Sequence, residues 1–211
     1  MTTLLALILA WTAAPQTTPL NALIDRVDRT FASMKDFSAD FEQFSTNPVN
    51  QKQRDGGHLY LTKDKKMRWE YEGPEKQLFV SNGKTLYSYS PLKREATKEQ
   101  VKDSTADQIP LMYLVGQSGL KNKFEASDLK TKPLFEGDAV IRLVPKRKNT
   151  GVQSIDIEVN PGTNLIDRMV ILAMDKSRNE LIFGNIVINS NIAASMFEFK
   201  PPPGTRVVQE N

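Results

Sequence analysis

The sequence predicts a mainly β fold with helices: an incomplete (open) antiparallel β-barrel of about ten or eleven strands, with helices covering its concave side. Short segments that alternate apolar and polar residues recur along most of the chain, and turn sequences separate them. An amphipathic helix precedes these segments, and a second, almost wholly apolar helix interrupts them. A barrel of this size is too wide for its wall side chains to fill, so either helices or a ligand occupy the interior.

The stretch 58–91 is the centre of the predicted sheet, and it predicts three β-strands joined by two tight turns. Met67, Trp69 and Tyr71 alternate with charged residues, so a pleated strand places the apolar groups on one face and the charges on the other. An Asn-Gly pair at 82–83 suits a tight hairpin, because both residues tolerate positive φ. We expect one aromatic-rich, ligand-binding face, formed by Leu59, Leu61, Met67, Trp69, Tyr71, Leu78, Val80, Tyr87 and Tyr89.

Two helical segments flank or interrupt the sheet. Apolar residues recur at spacings of three and four from 20 to 34, which predicts an amphipathic helix of roughly four turns. The first strand follows at 37–44, with Phe37, Ala39 and Phe41 facing inward. After a charged connection at 92–107, an apolar run with proline in its first turn predicts a short buried helix. We interpret this helix as a lid over the concave sheet, formed by Ile109, Pro110, Leu111, Met112, Tyr113 and Leu114.

Residues 1–14 have the features of a signal peptide. The apolar run at 4–11 has the length of a signal-peptide core and is too short to span a bilayer, and small residues follow it. Two features are unusual for a signal peptide: no lysine or arginine precedes the apolar run, and Pro15 would directly follow a cleavage site at Ala14. An uncleaved anchor and a buried N-terminal helix are therefore the alternatives. We expect residues 15–211 to form one domain.

Composition excludes several functional classes. A chain of 211 residues, 39% hydrophobic and 25% charged, suits one globular domain with a real core. The net charge of +3 does not favour nucleic-acid binding, which needs a clustered basic face. The chain has no cysteine, so disulfides and thiolate chemistry are excluded, although this does not indicate a compartment.

The sequence offers no catalytic constellation. Its one histidine, His58, stands beside a glycine at the start of a strand, and no Gly-x-Ser-x-Gly nucleophile motif is present. The spacings typical of a metal site and of a phosphate-binding glycine loop are also missing. We therefore predict a protein that is not an enzyme and that uses no metal and no cofactor.

Four motifs, in this order, carry a family resemblance. FSADFEQ lies at 37–43, the central motif comprises MRWEY at 67–71 and VSNGKTLYSY at 80–89, IPLMYL lies at 109–114, and FEFKPPPG lies at 197–204. Together they make the chain resemble the LolA-type outer-membrane lipoprotein carrier proteins of Gram-negative bacteria. The resemblance spans nearly the whole predicted mature chain.

The resemblance implies a periplasmic, monomeric protein in which residues 15–211 form a single lipoprotein-carrier domain. Its incomplete β-barrel, covered by helices, would shield acyl chains in a hydrophobic cavity without any covalent step. The implied partners are acylated lipoproteins, an inner-membrane ABC exporter that delivers them, and an outer-membrane lipoprotein receptor that accepts them. No nucleic acid is implied.

One turn departs from the family pattern. Family members commonly carry a basic residue and then proline, often Lys-Arg-Pro, and the arginine latches the lid by hydrogen bonds. Here Lys63 stands at the place of that arginine, and no proline follows it. Lysine lacks the forked donor geometry of guanidinium. The chain therefore either has a looser latch at Lys63 or has its latch elsewhere, at Arg68. The alternative is that Lys63 is a solvated turn residue with no latch function.

Two other functions stay open from the sequence. One is a periplasmic lipid- or lipoprotein-sensing regulatory protein on the same fold, and the other is a structural envelope protein with a filled core. A helix packed on a sheet normally makes an ordinary core, and from the residues alone this alternative has the same weight as a cavity. The bulky, adaptable groups of the aromatic face and the family resemblance favour a ligand.

Overall fold

The computed structural model of the protein describes residues 19–73, 76–101, 119–148 and 150–209. Within these residues the helices are α1 (Pro19–Ser33) and α2 (Leu120–Lys123), and a 3₁₀ turn spans Ala194–Phe197. The strands are β1 (Asp36–Thr46), β2 (Lys52–Thr62), β3 (Lys66–Tyr71), β4 (Leu78–Asn82), β5 (Thr85–Ser90), β6 (Glu95–Gln100), β7 (Phe124–Asp128), β8 (Ala139–Pro145), β9 (Val152–Val159), β10 (Ile166–Ala173), β11 (Arg178–Ile188) and β12 (Arg206–Gln209).

All twelve of these strands form one open, curled sheet in the order β12-β6-β5-β4-β3-β2-β1-β11-β10-β9-β8-β7. Neighbouring strands pair antiparallel, except that β12 runs parallel to β6. The predicted fold class, an open β-barrel with helices, is confirmed. The stretch 58–91 contributes to four strands rather than the predicted three. The strand β12 was missed because four residues after a proline run are too few to show alternation.

Helix α1 has the predicted apolar stripe. Pro19 occupies its first position, where a missing N–H leaves no hydrogen bond unmade. The buried side chains of the helix are Leu23, Ile24, Val27 and Phe31. The carboxylate of Asp28 accepts a hydrogen bond from the backbone N of Leu120 at 3.0 Å, which ties α1 to the start of α2. The helix is therefore fixed by both its apolar face and its polar edge.

We define the inner face of the sheet as the face against which α1 packs, and the outer face as the opposite one. The main core lies on the inner face as one cluster, which joins the buried side chains of α1 to buried side chains of β1–β3, β5 and β8–β11. Phe37, Ala39 and Phe41 belong to this cluster, as predicted. Each fully buried large aliphatic side chain contributes about 1.5–3 kcal/mol, so this cluster dominates the stability of the fold.

The outer face of β8–β11 is held by ion pairs. The guanidinium of Arg168 contacts the carboxylates of Glu158 and Glu180 on the two adjacent strands. Glu158 is only 1% exposed, and it also accepts a hydrogen bond at 2.8 Å from the backbone N of Leu134. A buried carboxylate needs such partners, because an unpaired one would be strongly destabilising. These charges therefore hold a surface loop on the sheet.

The C-terminal segment crosses the outer face of the other half of the sheet. The carboxylate of Asp36 first accepts hydrogen bonds from the backbone N of Ser190 at 2.7 Å and of Asn191 at 3.0 Å. The 3₁₀ turn then packs on β3 and β4. Phe197, at the end of this turn, is 1% exposed. The segment ends as β12 beside β6, so it spans this part of the sheet from one side to the other.

A second apolar cluster lies beneath the C-terminal segment, and we call it the outer cluster. The rings of Tyr87 and Tyr89 contact the ring of Phe199, with centroids 5.0 and 5.6 Å apart. The outer cluster consists of Val80, Tyr87, Tyr89, Ala96, Phe197 and Phe199. Strands β4 and β5 therefore carry apolar residues on both faces.

Two predicted segments lie outside the residues that the structure describes: the signal peptide at 1–14 and the lid at 109–114. Within the described ranges, neither helix has the length and the apolar character that spanning a membrane requires.

Candidate ligand-binding face

Five of the nine predicted site residues share the inner face. Leu59, Leu61, Met67 and Trp69 are buried in the main core, and Tyr71 packs against it half-buried. In the register of β2 and β3, Leu59 lies opposite Trp69 and Leu61 lies opposite Met67. Directly opposed residues point to the same face of a sheet, which is why these side chains come together. This part of the face is assembled as the alternation predicts.

The other four, Leu78, Val80, Tyr87 and Tyr89, lie on the outer face, so the prediction of one shared face is wrong for them. Val80 lies opposite Arg68 in β3 and opposite Tyr87 in β5, which places all three on the charged side of β3. The physical reason is that β4 and β5 carry apolar residues at both alternating positions, since the C-terminal segment covers their outer face. Alternation by itself does not choose a face for such a strand.

Other residues, which the sequence pattern did not predict as part of the site, occupy the inner face instead. Phe79 lies opposite Trp69, and Leu86 lies opposite Ser81, which itself opposes Met67. Gln43, on β1, follows Phe41 at the same alternating position and is buried. The available signal was the register: counting residue pairs outward from the Gly-Pro break at 73–74 places Phe79 beside Trp69.

The rings of Phe41, Trp69, Tyr71 and Phe79 form a cluster on the inner face, which we call the inner aromatic cluster. The Phe41 ring meets the rings of Trp69 and Tyr71 edge-on, with centroids 5.1 and 5.2 Å apart. The Trp69 and Tyr71 rings are stacked at 6.1 Å, and the Phe79 ring lies 6.0 Å from that of Tyr71. Both arrangements are favourable for aromatic pairs. The cluster forms a continuous apolar surface across β1, β2, β3 and β4.

Two polar groups lie within this surface, and only one of them has a hydrogen-bond partner. The hydroxyl of Tyr71 donates a hydrogen bond to Oε1 of Gln43 at 2.7 Å, and burial raises the pKa of Tyr71 to about 12. The indole Nε1 of Trp69 is buried and has no hydrogen-bond partner among the described residues. A buried, unpaired donor costs about 1–3 kcal/mol. The hydrogen-bonding capacity of the Trp69 indole is therefore unused within the described part of the chain.

Burial on the inner face decreases from Trp69 towards Tyr71 and Phe79. Trp69 is 9% exposed, whereas Tyr71, Phe79 and Val101 are half-buried and pack at the edge of the core. Removing apolar surface from water is worth about 25 cal/mol per Å². The half-buried edge of the inner aromatic cluster is therefore apolar surface that would gain free energy if it were covered.

Comparison with known proteins identifies the family. Residues 32–200 match the family model described as outer membrane lipoprotein carrier protein LolA. The chain belongs to the LolA family. The outer-membrane lipoprotein carrier protein of Azotobacter vinelandii is 27% identical over 189 residues, which cover 89% of this chain and 88% of that protein. The protein of the same name from Methylococcus capsulatus is 27% identical over 209 residues, which cover 96% and 94% of the two chains.

Solved structures agree on the fold. The crystal structure of an uncharacterized conserved protein from Thermus thermophilus superposes with a TM-score of 0.58 at 13% identity, covering 90% of this chain and 98% of that one. At that identity the likeness shows the fold alone. Membership of the LolA family supports a role as a lipoprotein carrier, with protein transport and lipid binding as its general functions. The family is one of carriers rather than of enzymes.

The two LolA latch candidates lie in different surroundings. Lys63 is exposed in the turn between β2 and β3, where its backbone N donates to the carbonyl of Lys35 at 3.3 Å. Arg68 lies on the outer face, and its Nη1 donates to the carbonyl of Met196 at 3.3 Å. Arg68 therefore secures the C-terminal segment, and this placement does not favour it as a latch. A latch at Lys63 stays a prediction, because 109–114 lie outside the described residues.

The histidine lies in an exposed ion-pair cluster on the outer face. Nδ1 of His58 is 2.6 Å from Oδ1 of Asp40, and its Nε2 is 3.2 Å from Glu72. The hydrogen bond that His58 donates to Asp40 raises the pKa of His58, and hydrogen bonds from Asn185 and His58 lower the pKa of Asp40. Within the described ranges, no group of three or more histidine, aspartate or glutamate side chains is arranged to hold a metal ion.

Proposed function

We propose that this chain is a periplasmic carrier that holds the acyl chains of lipoproteins against the inner face of its sheet. The observation that supports this most directly is the inner aromatic cluster. Its edge at Tyr71 and Phe79 is half-buried, and the buried indole N–H of the neighbouring Trp69 has no partner among the described residues. An acyl chain offers apolar surface to the rings, and its ester carbonyl offers an acceptor to the indole N–H.

The energetics explain why such a carrier needs a lid. Each buried CH₂ contributes about 0.8 kcal/mol, so one chain of about 16 carbons would bind with about 12 kcal/mol and release very slowly. A lid that covers the same apolar surface in the empty protein weakens the net affinity, because it must be displaced when cargo loads. We assign this role to the apolar segment 109–114.

In this role the protein transports lipoproteins from the inner membrane to the outer membrane. The inner-membrane ABC exporter delivers the lipoprotein, and an outer-membrane lipoprotein receptor with a more open apolar site takes it. Residues 1–14 direct export and residues 15–211 form the carrier domain. N-terminal sequencing of the protein from fractionated cells tests the location: a periplasmic product that begins near 15–18 is expected, and a full-length cytoplasmic product would refute it.

The binding surface is tested with a matched pair of substitutions. Phe79 on the inner face and Tyr89 on the outer face are both half-buried aromatics on adjacent strands. Phe79→Glu should weaken binding of a fluorescent diacylated lipopeptide at least about tenfold, because a carboxylate would be desolvated beneath the acyl chain. Tyr89→Glu should leave the affinity unchanged. The same peptide without acyl chains controls for contacts to the peptide itself.

Unfolding curves of both variants establish that each is folded under the binding conditions. Equal loss of affinity in the two variants, or none in either, would refute the inner face as the acyl-binding surface. Mass spectrometry of lipid extracted from the purified protein adds an independent readout. If no lipid is extracted and the protein does not bind the lipopeptide, the result would favour the alternative function, a structural envelope protein with a filled core.

A further inference from the structure

One end of the sheet carries a surface of lysines drawn from three separate parts of the chain. We call it the lysine rim, and it consists of Lys35, Lys63, Lys66 and Lys84. Lys35 connects α1 to β1, the next two flank the turn between β2 and β3, and Lys84 belongs to the turn between β4 and β5. Lys35, Lys63 and Lys84 are exposed, and Lys66 is half-buried.

Backbone contacts hold these three segments together. The backbone N of Lys63 donates to the carbonyl of Lys35 at 3.3 Å. A Cβ on Gly83 would lie 2.6 Å from the carbonyl oxygen of Asp64, so the two turns are in contact. The positive φ of Gly83 also favours glycine at this position. Oγ of Ser81 lies at hydrogen-bond distance, 3.1 Å, from the carbonyl of Lys65. The lysine rim is therefore one contiguous surface on a rigid end of the sheet.

The segments that form the lysine rim carry a larger net positive charge than the chain as a whole. Lys35 and the turns 63–66 and 82–84 contain five lysines and one carboxylate, Asp64, which gives a net charge of +4. The whole chain has a net charge of +3. In the described part of the chain, no carboxylate forms an ion pair with a lysine of the rim, whereas lysines elsewhere do, as Lys121 does with Asp25. The positive charge is therefore concentrated at this end, and the four lysines of the rim carry it without a carboxylate ion pair among the described residues.

We propose that the lysine rim docks the protein on the surface of a membrane that contains anionic phospholipids. Lysine is a hydrated point charge on a flexible stem, and it binds phosphate without the directional fork that arginine offers to a fixed carboxylate. Four lysines from three segments, with no arginine among them, match a fluid array of lipid phosphates better than the fixed carboxylates of a protein. Each lysine near an anionic surface adds about 1 kcal/mol of attraction.

The test uses the protein as the cell produces it and vesicles that contain no lipoprotein, so it does not depend on the proposed carrier function. Binding is measured by co-sedimentation with phosphatidylcholine vesicles that contain about one third phosphatidylglycerol, at low ionic strength. The variant Lys35→Gln, Lys63→Gln, Lys66→Gln, Lys84→Gln should bind about 600-fold more weakly, since each of the four lost lysines removes about fivefold. Binding of the unaltered protein should also fall steeply as salt is added.

A matched variant removes the same charge from other places. Lys52, Lys93, Lys132 and Lys148 are exposed lysines outside the rim, and Lys→Gln at all four gives the same net charge as the rim variant. This control should keep most of the binding. Equal loss in both variants, or equal binding to vesicles of pure phosphatidylcholine, would overturn the proposal. Failure of the unaltered protein to bind the anionic vesicles would overturn it as well, and cross-linking of the rim lysines to acidic side chains would then assign the rim to a protein partner.

Discussion

The inner aromatic cluster and the outer cluster occupy opposite faces of the same strands, and they differ in what covers them. In the outer cluster, Phe199 lies on Tyr87 and Tyr89, and Phe197 is almost completely buried. The chain's own C-terminal segment closes that face. In the inner aromatic cluster, the rings are well packed against one another, yet no described residue pairs the N–H of Trp69, and Phe79 is half-buried.

This difference separates a structural role from a binding role. Aromatic content does not distinguish the clusters, because both contain rings at alternating strand positions. What distinguishes them is their cover, because the chain's own C-terminal segment lies on one of them. The other leaves an apolar edge and one donor, which a ligand with acyl chains and ester carbonyls would complement.

The largest expected effect is on the outer cluster. Phe197→Ala should lower the free energy of unfolding by about 3–5 kcal/mol, because it leaves a cavity under the C-terminal segment. Urea unfolding measures the loss. Val49→Ala, at a side chain that is 73% exposed, is the control and should change stability very little. A loss under about 1 kcal/mol for Phe197→Ala would show that the segment does not close this face as a packed unit.

Tyr71→Phe should have the next largest effect, since it leaves the buried amide of Gln43 without its donor. The expected loss is about 1–2 kcal/mol at neutral pH. The pKa of Tyr71 rises from 10.0 to about 12 in the folded protein. The unfolded chain therefore ionises first, and this contribution to stability is present below pH 10 and is lost as pH rises towards 12. Tyr71→Phe should show a shallower alkaline loss of stability than the unaltered protein, and parallel curves would contradict the assignment.

Trp69→Phe tests the indole donor. Removing the unpaired indole N–H relieves a cost of about 1–3 kcal/mol, and the smaller ring loses packing of similar size. The net change in the free energy of unfolding should therefore be less than about 1 kcal/mol. Affinity for the diacylated lipopeptide should fall by roughly three- to tenfold if the N–H bonds an ester carbonyl of the cargo, as one hydrogen bond of about 1 kcal/mol predicts. An ether-linked lipopeptide, which lacks that carbonyl, should bind the two proteins equally. Discrimination that persists with the ether-linked probe would exclude this contact.

The smallest effect is expected from His58→Gln on the outer face. The pKa of His58 is raised from 6.5, so its pairing stabilises the fold below 6.5 and is lost as pH rises through the folded pKa. The pKa of Asp40 is lowered from 3.8, so its pairing is lost as pH falls through the folded value. The side chains are 41% and 46% exposed, and solvent screening keeps the effect to a few tenths of a kcal/mol. Thermal unfolding should show a slightly less stable variant near pH 5 and no difference at pH 8.

Much of the fold follows from local sequence patterns. The stripe of α1 and the alternation in β3 place Val27, Phe31, Met67 and Trp69 in the core as predicted. Each pattern has one apolar face and one polar face, so the buried face is decided by the segment itself. The open β fold and the family follow from the same signals, since turns and strands occur in the right order along the chain.

The tertiary structure alone decided the faces of β4 and β5 and the partners of the charged residues. Leu78, Val80, Tyr87 and Tyr89 face outward because a segment more than a hundred residues later in the chain covers them. Glu158 resembles a solvated strand residue in the sequence, yet it is buried against Arg168 and a loop. Period-two alternation reports which residues share a face, but not which face is covered when both are apolar. That choice depends on long-range packing, which no local pattern contains.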